Sequence, residues 1–115
     1  MSLFEKIVGK LKGRSQSPDD AVRANLYKHG DDGTKVRTVD HLAYFNTPSE
    51  ADAYRDFVLQ RGYTLEPRGE EYNEVAFTKD ASVAGPEFDI KIQLLTLTAE
   101  RLGGDYDGWG CVVVK

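Results

Sequence analysis

The stretch from Thr47 to Gly62 constrains the fold more than any other part of this chain. Thr47-Pro48-Ser49-Glu50 joins a capping box to a proline at the first helical position. Ala51, Tyr54, Phe57 and Val58 follow as an apolar stripe, and Gly62 stops the helix. Such a helix needs a layer to lie on. Strand patterns on both sides supply it. Residues 35–45 alternate, with Val39, His41, Ala43 and Phe45 on one face and Thr38, Asp40, Leu42 and Tyr44 on the other. Bulky residues on both faces predict a central strand. After the helix, residues 63–66 and 74–79 read as two more strands, separated by Pro67 and Arg68-Gly69.

Residues 86–102 fit two periods. Phe88, Ile90, Ile92 and Leu94 alternate like a strand, whereas Phe88, Ile92, Leu95, Ala99 and Leu102 keep helical spacing and end at Gly103-Gly104. The longer, properly terminated pattern favours the helix. Asp105-Tyr106-Asp107-Gly108-Trp109-Gly110 then reads as a helix-to-strand turn, with the only Trp as a buried anchor. The last strand is expected over residues 108–114, with Trp109, Cys111 and Val113 on one face. The order β-α-β-β-α-β predicts an α+β, ferredoxin-like sandwich: a four-stranded antiparallel sheet with the two main helices on one face.

One or two extra helices precede this unit, so the chain divides into an N-terminal helical segment, 1–30, and a domain, 31–115. Ser17 and Pro18 start a helix carrying Asp19 and Asp20 in its first turn, with Lys28 and His29 at its end and Gly30 closing it. Asp31-Asp32-Gly33 reads as a solvated turn without the spaced ligands of a calcium loop. Residues 3–12 read as a shorter amphipathic helix, with Leu3, Phe4, Ile7, Val8 and Leu11 on one face and lysines opposite. That face needs a partner. Docking on the parent domain or on a sister subunit in a homodimer is the expectation; a partner helix and a membrane surface are the alternatives.

At 115 residues, 40% hydrophobic and 30% charged, the chain suits one ordered domain. No apolar run approaches the ~20 residues of a membrane span. A single cysteine excludes an internal disulfide, and Lys6, Lys10 and Lys12 break any secretory pattern, so a cytoplasmic protein is expected. The net charge is −4, and residues 1–14 alone carry +3, which leaves −7 on the rest. An acidic body is a poor binder of phosphate, so a protein partner is expected and direct nucleic-acid binding is not.

Catalytic chemistry is sparse. His41 lies mid-strand and Asp40, its sequence neighbour, points to the opposite face, so the two cannot pair. His29 reads as a helix-end group, and Cys111 as a small core residue. No Cys/His spacing suits zinc, and no phosphate loop or dinucleotide fingerprint occurs, so neither metal nor cofactor is expected. Asp105 and Asp107 could form an acid–base pair, but carboxylates in a turn are usually solvated. The open sheet face keeps two other functions in view, RNA binding through Tyr44, Phe77 and Trp109 and a small-ligand sensor.

Two stretches resemble the RraB family, protein regulators of ribonuclease E. Asp31-Asp32-Gly33 followed by Arg37, Val39, His41, Tyr44 and Phe45 is similar to the family's entry into its first strand. The residues from Leu95 to Glu100, then Tyr106-Asp107-Gly108-Trp109-Gly110, are similar to its last helix and ending; this is the more specific match. The resemblance covers most of residues 31–114. It implies a ferredoxin-like fold and a bacterial, non-catalytic protein that binds and inhibits ribonuclease E. On it, the partner-binding surface is expected at Tyr106, Asp107, Trp109, Tyr44, Asp31 and Asp32. The sequence departs from the family's strongly acidic C-terminal tail and adds the basic N-terminal residues.

Overall fold

The computed structural model describes residues 18–67 and 73–115. Helix α1 (Pro18–Lys28) leads into β1 (Arg37–Tyr44), α2 (Pro48–Gln60), β2 (Thr64–Leu65), β3 (Glu74–Ala81), α3 (Pro86–Arg101) and β4 (Asp105–Cys111). The strands form one antiparallel sheet in the order β2-β3-β1-β4. This is the expected split β-α-β arrangement, with β1 central. Residues 3–12, Ser17 and the Arg68-Gly69 break lie outside the described residues.

The helix ends follow from local chemistry. At α2 the Thr47 hydroxyl accepts from the Glu50 amide at 3.2 Å. The Glu50 carboxylate accepts in turn from the Asn46 amide, one residue further out than a standard capping box. Ala51, Tyr54 and Val58 are buried as expected, and Phe57 is half-buried. Arg55 is buried too; it donates to Asp52 Oδ1 at 2.7 Å and to the Glu74 carbonyl at 2.9 Å. The helical period holds over residues 86–101. Phe88, Ile92, Leu95 and Ala99 face inward, and the strand alternative disappears. The Tyr54 hydroxyl donates to the Leu95 carbonyl and joins the two helices.

The core is one cluster between sheet and helices. Val39, Ala43, Val75, Phe77, Trp109 and Cys111 come from the sheet, and Val22 and Leu26 bring α1 into the same cluster. Arg23 fastens α1 beside α3, donating to the Val83 carbonyl and pairing with Asp89 at 2.6 Å. The outer sheet face carries Thr38, Asp40, Leu42 and Tyr44 from β1, opposite Asp80, Thr78, Ala76 and Glu74 of β3. None of those β1 residues belongs to the core cluster.

One boundary differs from expectation. β4 occupies residues 105–111 instead of 108–114, so the segment read as a turn is itself the strand. Its polar and glycine residues resemble a turn in isolation, but pairing with β1 satisfies the backbone groups on that side of the strand.

Candidate functional site

The β4 segment contains a bulge. Leu42 pairs with Gly108 and Ala43 with Tyr106, so Asp107 is the extra residue, and Gly108 takes a φ of 135° beside it. In a regular strand Tyr106 and Trp109, three apart, would point to opposite faces. The bulge restores the phase and turns both inward, opposite Ala43 and His41. Trp109 is 1% exposed and meets the Phe88 ring edge-on at 4.7 Å. The Asp-Gly pair inside an otherwise strand-compatible segment is the sequence signal for this device.

Tyr106 and His41 share a 2.7 Å hydrogen bond between the hydroxyl and Nδ1. The His41 ring stacks on Phe77 at 4.9 Å and meets Tyr63 edge-on at 5.5 Å. Burial lowers the His41 pKa to about 3, because a charged imidazole would lose its hydration there. His41 is therefore a neutral core residue near pH 7. Burial pushes the Cys111 thiol pKa up, against a smaller opposing effect of Arg37. It is held as a thiol, the unreactive form.

Asp31 is buried, which corrects the expectation of a solvated turn. Its carboxylate receives Arg37 through two bonds, 2.8 and 2.9 Å, and also accepts from the Gly33 amide at 2.9 Å and the Val114 amide at 2.7 Å. The hydrogen bonds from Arg37 are the largest influence holding its pKa far below the ordinary carboxylate range. Arg37 also donates to the Val112 carbonyl. The pair thus ties the segment after β4 to the loop before β1. Asp32 is exposed, and its carboxylate accepts from the Thr34 amide and hydroxyl, which lower its pKa.

These positions do not form one exposed patch. Tyr106, Trp109 and Asp31 are buried, Tyr44 and Asp107 are half-buried, and Asp32 alone is exposed. Tyr44 lies at one end of β1 beside Asp105. Asp31 bonds to Arg37 at the other end, roughly 20 Å away at the usual rise per residue. The buried members shape the fold under any surface that acts.

A different surface was missed by sequence reasoning. A cleft of about 330 Å³ lies between the end of α2, β2, β3 and α3. Arg61, Lys79 and Lys91 line it, with Tyr63, Leu94 and Leu95 as its aromatic and aliphatic wall. The Arg61 guanidinium sits over the Phe57 ring at 4.9 Å. Lys79 Nζ lies over the Tyr63 ring at 5.0 Å and donates to the Arg61 carbonyl at 2.9 Å. The available signal was the surplus of apolar residues on α3, since Ile90 and Leu94 belong to the alternating pattern that the helical stripe left unused.

Among the described residues no group of three or more His, Cys, Asp or Glu could hold a metal ion, and no helix is long and apolar enough to cross a membrane. A search of curated proteins finds no match. A family model described as "Regulator of ribonuclease activity B", RraB, matches residues 17–111, from just before α1 to the end of β4. That span contains the seven described elements, the bulged strand and the buried Asp31–Arg37 pair, and the chain therefore belongs to the RraB family.

Proposed function

We propose that this protein is a non-catalytic regulator that binds ribonuclease E in the cytoplasm and lowers its cleavage of RNA by occupying a protein surface. The observation that carries this reading is the family match over residues 17–111, whose description is regulation of ribonuclease activity. The chemistry of the interior supports it. His41 is neutral and buried, and Cys111 is a buried thiol, so neither presents a reactive group to solvent. RNA binding on the open sheet is disfavoured by charge. Asp40, Glu74 and Asp80 lie on that face, where an RNA-binding sheet needs cations and stacking platforms. We further propose that the hydrophobic face of residues 3–12, outside the described residues, docks on this protein or its sister subunit.

The test is cleavage of a short RNA by purified ribonuclease E as this protein is added. Saturable inhibition, with no binding of the RNA by this protein alone, is expected for a ligand of the enzyme. Inhibition that more RNA relieves, together with direct binding of that RNA by this protein alone, would indicate that the protein sequesters substrate. Unaffected cleavage at tens of micromolar, a binding free energy weaker than about −6 to −7 kcal/mol, contradicts the proposal.

A further inference from the structure

Helix α3 has two apolar faces where the fold uses one. Phe88, Ile92, Leu95 and Ala99 enter the core. On the opposite side Ile90, Leu94 and Leu97 recur at i, i+4 and i+7 and are 64%, 37% and 47% exposed. A helix on the surface of a domain needs a single apolar stripe, and among the described residues the second belongs to no core cluster. Leu94 also lines the cationic cleft, which makes the stripe and the cleft continuous.

The cleft is electrostatically unusual for this chain. The protein carries a net −4, yet three cations line one opening. Among the described residues, Arg61, Lys79 and Lys91 have no carboxylate partner. Arg61 and Lys79 are held in place by aromatic rings instead, which fixes their position without a described carboxylate to neutralise their charge. Such an arrangement favours an incoming anion. The leucines beside it favour an apolar group on the same ligand.

From this geometry we infer that the Ile90–Leu94–Leu97 stripe and the adjoining Arg61–Lys79–Lys91 cleft form one docking surface for an acidic, amphipathic segment of a partner protein. The inference rests on the reading of this protein as a protein-binding regulator. RNA supplies the anion but leaves the exposed stripe uncovered, and an inorganic anion does the same. A protein segment with Asp or Glu next to aliphatic or aromatic residues satisfies both halves.

The test places a photoreactive benzoylphenylalanine in the full chain, either at position 97 on the stripe or at position 38 on the opposite sheet face. Each version is expressed in the host and irradiated, and the adducts are sequenced by mass spectrometry. Position 97 should capture a partner peptide in which Asp or Glu adjoins aliphatic or aromatic residues. Arg61→Glu/Lys91→Glu in the same chain should lower that yield about tenfold. Both altered residues are exposed, and an unchanged urea midpoint verifies that the fold is intact. A yield unmoved by charge reversal, adducts only to RNA or to a second copy of this chain, capture at position 38 alone, or no adduct at either position would overturn the inference. The two proposals fail separately. A qualifying peptide from a protein other than ribonuclease E keeps the surface and removes that enzyme as partner; ribonuclease E captured from position 38 alone does the reverse.

Discussion

His41 shows how far a single residue can mislead when only its type is known. A histidine in a regulator invites a role in binding or proton transfer, yet this one is a neutral member of an aromatic stack, bonded to Tyr106. Its lowered pKa has a direct consequence for stability. The folded state resists protonation until about pH 3, while the unfolded chain takes the proton near 6.5. Stability contributed by neutral His41 is therefore complete above pH 6.5 and falls as pH drops toward 3. The slope approaches about 1.4 kcal/mol per pH unit, one proton's worth. Urea midpoints between pH 7 and 5 should show this loss in the wild type and a flatter dependence in His41→Asn; equal slopes would refute it. Asp31 acts in the same direction but below its ordinary value of 3.8, and Asp40, whose pKa is raised by burial and then by Glu66, acts in the opposite direction. The window lies above the range in which Asp31 acts, and the comparison with His41→Asn cancels what Asp40 contributes equally to both chains. Asp31 and Arg37 can be tested by a double-mutant cycle. Asp31→Leu or Arg37→Met alone leaves a buried charge unpaired and should cost about 3–5 kcal/mol, whereas the double variant should cost less than either. Additive losses would show that the pair is not the unit described.

The elements legible in the sequence were those with explicit start and stop chemistry. Thr47-Pro48 and Gly62 bound α2 to within two residues, and the Phe88-to-Ala99 spacing settled α3 against a competing strand pattern. β4 was displaced by three residues because Asp105, Asp107 and Gly108 are turn-forming types whose role here is set by pairing with β1, a partner distant in sequence. The bulge escaped notice for the same reason, and with it the inward turn of Tyr106. Likewise the expected site mixed buried and exposed positions, since a sequence pattern shared with a family marks packing as readily as contact. The α3–β4 joint makes a sharp prediction. A Cβ on Gly104 would overlap the Phe45 ring and the Tyr44 carbonyl, so the close approach of this joint to the end of β1 requires a glycine. Gly104→Ala should cost about 1–3 kcal/mol by overpacking, read as a lower urea midpoint with an unchanged slope. A midpoint equal to wild type would show that the joint has room the structure does not display.

At the scale of the molecule, the fold separates stability from recognition. Among the described residues, one sheet and three helices enclose a cluster of aromatic rings, the only cysteine, and the ion pair that closes the segment after β4. What remains outside is an acidic sheet face on one side and a stripe of apolar residues beside a cationic cleft on the other. The second surface has the mixed character of a protein interface, and the acidity of the first weighs against RNA on that face. A molecule that works by holding a protein must bind it with no RNA to bridge the two. Isothermal titration of nuclease-treated ribonuclease E with nuclease-treated protein tests this. Saturable binding tighter than about 10 µM, near −7 kcal/mol, is expected. Heats indistinguishable from dilution at concentrations well above that value would contradict it.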